Sequence, residues 1–301
     1  MADERKGVVA AGFALMWRRQ GVLWWVFVVN LVCGVFGAIP LIVTLSHALG
    51  NSLAGQKLTR GFDLGMYDEL LRLPEVNLMR TMGERIELDT ANGRIGGWRA
   101  VPEGRPRGGL VVIQEIFGVN AHVRSVADRF AGLGYVALAP AIFDPVESGV
   151  ELGYDAAGIA RGRELVAELG INRALAGIAA AAQRLQGMQL RTGAIGYCWG
   201  GSLAFLSNTR LGLPAVSYYG ARTMPFVNEP ARAGLLFHFG ERDGSIPPAD
   251  IAATRAAQPQ AEVHVWPAGH GFNCDLRADY DAASADQALA VTLAFLQREL
   301  G

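Results

Sequence analysis

The chain has 301 residues, 51% of them hydrophobic, and its 27 lysines and arginines against 28 acids leave a formal net charge of −1. That balance removes any global electrostatic case for a nucleic-acid partner. Three cysteines, Cys33, Cys198 and Cys274, are too few and too scattered for a disulfide framework or a zinc site. The length suits one large α/β domain with an appendage.

The appendage comes first. From Gln20 to Gln56 there is no Asp, Glu, Lys or Arg, and residues 22–46 are dominated by Val, Leu, Phe, Trp and Ile. A bilayer core needs about 20 such residues in a helix. Trp17, Trp24 and Trp25 cluster near one end as interfacial aromatics do, and Gly34, Gly37 and Pro40 are tolerated inside membrane bundles. Residues 1–56 are therefore expected to hold a single transmembrane helix, at about 22–46, that anchors a soluble catalytic domain to a membrane. Arg5, Lys6, Arg18 and Arg19 precede the span and Lys57 and Arg60 follow it, which leaves its orientation open. Residues 57–81 read as a polar linker with a short amphipathic helix. A start at Met82 would instead give a cytoplasmic product.

From residue 82 to 301 the texture is that of one domain. "ERIELDT" (84–90) alternates as an edge strand does, and "NGRIGGWRAV" supplies a turn and a second strand. Further strand-like runs fall at 109–114, 135–140, 192–197, 215–220, 234–240 and 261–267. Helical patterns fall at about 122–133, 160–187, 199–208, 248–257 and 283–299. Short apolar strands separated by helices predict an α/β fold with a mostly parallel sheet flanked by helices.

Gly196-Tyr197-Cys198-Trp199-Gly200 matches G-x-nucleophile-x-G between a strand and a helix, and no G-x-S-x-G competes with it. Such a turn lifts the central side chain above the sheet, at the positive end of the following helix, where a thiolate is favoured. Of the five histidines, His47 belongs to the apolar segment, His122 can be a solvated first-turn residue, and His238 and His264 lie inside strand patterns. His270, in "PAGHGF" just after the last strand, stands where an α/β-hydrolase presents its general base. The third member is expected beyond the 234–240 strand, where Glu241 and Asp243 both occur. Asp243 is preferred because Gly244 permits a tight turn beside it. The order Cys198, Asp243, His270 is the nucleophile–acid–histidine order of the α/β-hydrolase fold.

With "QEIFGVN" (114–120), "GYCWGG" (196–201), "GERDGSIP" (240–247) and "AGHGFNC" (268–274) together, residues 82–301 resemble the dienelactone hydrolase (carboxymethylenebutenolidase) family. The resemblance implies an α/β-hydrolase fold and cleavage of small lactones or enol esters through an acyl-enzyme. It implies a monomeric catalytic domain acting on a small molecule, with no metal and no organic cofactor. It gives Glu115 a role, contact with the resting thiol until substrate swings the carboxylate to take the cysteine proton, and it places the oxyanion hole at the backbone N–H groups of Ile116 and Trp199. One position departs from the family: an arginine that binds substrate carboxylate four residues after the histidine is here Cys274. Arg277, Arg161 and Arg163 are the candidate replacements. Cys274 itself reads as a pocket-wall residue or a second redox-active thiol.

Overall fold

The computed structural model describes residues 83–301. The expected membrane span at 22–46, the N-terminal segment and the linker lie outside the described residues. Among the described residues one helix, Ala156–Gly187, is long and apolar enough to cross a bilayer, but half of its apolar stretch is buried within the domain.

Eight strands form one sheet: β1 (Glu84–Thr90), β2 (Gly93–Ala100), β3 (Gly108–Ile113), β4 (Tyr135–Pro140), β5 (Thr192–Tyr197), β6 (Ala215–Tyr218), β7 (Leu235–Gly240) and β8 (Glu262–Trp266). Their spatial order is β1-β2-β4-β3-β5-β6-β7-β8. β1 pairs with β2 and β2 with β4 antiparallel, and every later pair is parallel. Antiparallel β1 and β2 are joined by a tight turn in which the Thr90 hydroxyl donates to Gly93 O. β3 to β7 are buried along their whole length, which is why they read as continuous apolar runs rather than alternating ones.

Five helices cover the sheet: α1 (Ala121–Gly132), α2 (Ala156–Gly187), α3 (Trp199–Leu211), α4 (Pro248–Ala257) and α5 (Ala282–Leu300). Local chemistry sets their starts. Asn120, Asp155 and Asp281 each cap a helix by accepting a backbone N–H, from Val123, Gly158 and Ser284. α2 begins four residues earlier than the pattern suggests because of the Asp155 cap. It is also interrupted at Gly170, whose φ of 70° and ψ of 165° are not helical.

The chain runs from β3 outward to β4 and then returns to place β5 on the other side of β3. That reversal opens a crevice beyond the carboxyl ends of β3 and β5, where doubly wound sheets bind ligands. α3 starts immediately after β5 and packs its first turn against the end of β3 by backbone contact. A Cβ on Gly200 would stand 2.4 Å from Gln114 O and 2.5 Å from Ile113 O. Neither oxygen belongs to a flexible side chain, so Gly200→Ala must displace α3 or β3. The substitution is expected to destabilise the domain by about 3 kcal/mol, read as a lower urea midpoint.

Candidate active site

β5 delivers Cys198 to the crevice in a sparsely populated conformation. Its φ is 54° and ψ −118°, the left-handed region that non-glycine residues enter at a cost of about 1–3 kcal/mol. The surroundings hold it there: Cys198 N donates to Tyr218 O at 3.0 Å, and Gly201 N donates to Cys198 O at 3.0 Å. The turn closes so tightly that a Cβ on Gly196 would lie 1.9 Å from Gly200 O.

The loops after β7 and β8 bring the other two members. His270 Nδ1 lies 2.7 Å from Asp243 Oδ2, and His270 Nε2 lies 3.1 Å from Cys198 Sγ. Asp243 has no side-chain exposure, and its Oδ1 accepts the Ser245 N–H at 2.7 Å. Glu241, the other acid on this loop, is exposed. The carboxylate accepts the Nδ1–H, which leaves Nε2 facing sulfur. Burial opposes charge on this ring, but its hydrogen bonds to Asp243 and Cys198 outweigh that and raise the His270 pKa to about 10. The ring is thus held as an imidazolium at neutral pH, the partner that a thiolate requires.

Glu115 follows β3 and is 1% exposed. The expected contact with the resting thiol is not what the structure has. Glu115 Oε1 instead accepts from Arg277 Nη1 at 3.1 Å, and Glu115 Oε2 is buried without a partner. The reason is electrostatic, since a carboxylate this deep needs a counter-charge and the guanidinium supplies one. Ile116 follows the end of β3 and Trp199 the end of β5, two paired strands in which Ile113 faces Gly196 in register. Trp199 is the first residue of α3, so its N–H has no intrahelical acceptor.

Of the three candidate arginines, the structure brings one to the site. Arg277 reaches Glu115 and lies over the ring of Tyr154. Arg161 is drawn away, paired with Glu147 at 2.5 Å and Glu164 at 2.8 Å. Arg163, two residues on, is exposed.

His122 corrects the sequence reading. It is 5% exposed rather than solvated, with Nδ1 3.2 Å from Asp275 Oδ1. Its pKa rises to about 9: burial opposes charge, and Asp275, Cys274 and Glu115 together overcome it. Cys274 is fully buried beside it. His238 does lie in a strand as a satisfied core residue, accepting from Trp266 Nε1 at 3.1 Å and sitting 3.0 Å from Thr292 Oγ1. Burial, aided by the nearby His264, lowers its pKa to about 3 and keeps it neutral.

The model of the dienelactone hydrolase family matches residues 95–300. This chain belongs to the dienelactone hydrolase family. A Synechocystis protein provisionally named a carboxymethylenebutenolidase is 37% identical over 214 residues, 64% of this chain and 86% of the relative. An Escherichia coli K12 protein with the same provisional name is 36% identical over 202 residues, 59% of this chain and 72% of the relative. The crystal structure of a provisionally assigned dienelactone hydrolase from Klebsiella pneumoniae matches with a TM-score of 0.64 at 27% identity, covering 71% of this chain and 98% of that one. The fold is that of an α/β-hydrolase, and the family assigns the chain to the ester and lactone hydrolases.

In this dienelactone hydrolase family member the sequence reading missed His122, Asp275 and Tyr154 as neighbours of the Glu115, Cys274 and Arg277 cluster. Nothing local marks His122 as buried, because the 271–281 loop that covers it is far away in sequence. Tyr154 is placed by its ring contact with Phe117, at 4.5 Å between centroids, and by the Asn120 amide, which donates to its hydroxyl at 3.2 Å.

The Glu115–Arg277 pair gives a stability test. Arg277→Ala leaves a buried carboxylate without a counter-charge and is expected to cost about 3–5 kcal/mol. Adding Glu115→Gln should recover much of that loss in urea unfolding.

Proposed function

We propose that the domain is a cysteine-dependent hydrolase of small lactones or enol esters, with the opening of dienelactone to maleylacetate as its model reaction. The observation that carries this reading is the continuous Asp243–His270–Cys198 relay, at 2.7 and 3.1 Å, on a strained turn. In the proposed cycle the Cys198 thiolate attacks the carbonyl carbon, and negative charge develops on the carbonyl oxygen. The N–H groups of Ile116 and Trp199 receive that charge; two preorganised donors of this kind supply several kcal/mol. Collapse breaks the ring C–O bond, and the enolate leaving group takes a proton from the His270 imidazolium, which leaves the ring neutral. Water, deprotonated by the neutral His270, then cleaves the thioester and releases the carboxylic acid, and the proton held by Glu115 returns to Cys198 to restore the thiol.

Arg277 is the proposed anchor for a substrate carboxylate. It lies three residues beyond Cys274 on the same loop, and it is already paired with a carboxylate, that of Glu115. An incoming substrate carboxylate competes for the same guanidinium. Glu115 Oε2, buried and unpartnered, is then the acceptor for the Cys198 proton. No step calls on a metal or an organic cofactor.

A broader carboxylesterase or thioesterase is the second reading. It is favoured by a cavity of about 380 Å³ beside Trp199, lined by Val166, Ile171, Leu203, Leu206 and Phe226. Substrate profiling separates the two, because the lactone reading requires carboxylate-bearing lactones to be cleaved faster than neutral aryl esters.

Cys198→Ala is expected to abolish hydrolysis of dienelactone and of aryl esters, and full activity in that variant would overturn the proposal. Asp243→Asn should keep the fold and lower kcat by roughly 10³–10⁴-fold through loss of the imidazole's orientation. The N-terminal tether is proposed from sequence alone. Cells expressing the full chain should carry it in the membrane fraction, resistant to high salt, whereas a wholly soluble full-length product would rule the tether out.

A further inference from the structure

Cys274, His122 and Glu115 form a second constellation beside the relay, one that the proposed cycle uses only through Glu115. Each offers one donor atom, a thiol sulfur, an imidazole nitrogen and a carboxylate oxygen, and among the described residues these three atoms lie within 4.8 Å of one another. All three residues are buried, at 0%, 5% and 1% exposure. Glu115 Oε2 has no hydrogen-bond partner, and His122 Nε2 has none beyond the Cys274 sulfur. A buried carboxylate oxygen is rarely left so, and one beside a thiol and an imidazole requires an explanation. The other atoms of the same side chains are occupied in the manner of a metal site's supporting contacts. His122 Nδ1 faces Asp275 Oδ1 at 3.2 Å, so loss of the Nε2 proton on metal binding leaves the tautomer that presents an Nε2 lone pair. Glu115 Oε1 is held by Arg277, which leaves Oε2 as its free donor.

We propose that Cys274, His122 and Glu115 bind a thiophilic divalent cation of the zinc class, as a three-ligand site with one open position. The mixed S, N, O donor set suits zinc rather than magnesium or calcium, which take oxygen ligands. Zinc bond lengths of about 2.0–2.3 Å put donor atoms of a tetrahedral site roughly 3.4–3.7 Å apart, so small side-chain rotations close this one. On binding, the Cys274 thiol and the His122 imidazolium each give up a proton to solvent, and the thiolate and Nε2 lone pairs are donated to the metal. The consequence for catalysis rests on the role proposed above for Glu115. A cation on Oε2 takes the atom that would receive the Cys198 proton, so the site is inhibitory.

Binding is tested without turnover, in the full chain carrying Cys198→Ser so that the relay thiol is absent. Cobalt(II) is the probe, because a thiolate ligand gives an absorption band in the near ultraviolet. One equivalent per chain should produce that band. Adding Cys274→Ser should abolish it, and adding His122→Gln should weaken binding at least tenfold. Asp275→Asn, which removes only the orienting contact, should weaken it by about tenfold. Circular dichroism identifies any variant that fails to fold, and the Cys274→Ser arm decides if His122→Gln does. Absence of the band, or a band that survives Cys274→Ser, overturns the site. Neither result touches the hydrolase reading, which stands or falls on Cys198→Ala in the metal-free protein.

Discussion

The turn between β5 and α3 is the constraint on which the site depends. It holds Cys198 at a φ of 54°, a conformation that an L residue keeps only when its surroundings over-determine it. Three features supply that determination. Gly196 and Gly200 allow backbone contacts that no side chain would permit, and Cys198 N is committed to Tyr218 O. The sulfur is consequently fixed relative to the sheet rather than to a mobile loop. Each loop that follows a parallel strand then ends at a known distance from it. Asp243 after β7 reaches His270, and His270 after β8 reaches the sulfur, because β5, β6, β7 and β8 are neighbours in that order.

Two carboxylates lie buried in this crevice, and their neighbours separate their behaviour. Asp243 faces an imidazole and a backbone N–H, so its charge is used to hold His270 in its protonated form. Glu115 faces a guanidinium through one oxygen and nothing through the other. A carboxylate with a filled and an empty oxygen is neither a settled ion pair nor a solvated group. It is positioned to exchange its partner, for a proton in the proposed cycle or for a cation in the proposed site. Opposed environments for paired acids are how one pocket assigns different tasks to the same functional group.

Much of this was legible in the sequence, for reasons that differ between elements. β4, β5 and α4 fall where their apolar runs and flanking breakers put them, because buried parallel strands leave an unmistakable hydrophobic signature. The Cys198 turn was legible because steric demand writes itself as glycine at fixed spacing. Gly170 was not, since a single glycine inside a long apolar helix has no local feature that distinguishes tolerance from interruption. His122 was misjudged for a deeper reason. Whether a first-turn histidine is wet depends on what packs above it, and here that is a loop some 150 residues further along the chain.

That loop also sets how Arg277 reaches Glu115. After His270 the chain turns twice in quick succession, with Cys274 N donating to Gly271 O at 2.9 Å and Arg277 N donating to Cys274 O at 3.0 Å. Two consecutive three-residue turns return the chain to the same side, so positions 274 and 277 both face the crevice while Asp275 reaches His122. Arg277 is long enough to cover Gly271, whose φ of 84° leaves no Cβ in the way; one added there would lie 2.6 Å from the guanidinium Nε. A cationic group therefore stands at Glu115 although the position four residues after the histidine is a thiol. Arg277 supplies the charge, and Cys274 adds a sulfur donor beside an imidazole and a half-satisfied carboxylate.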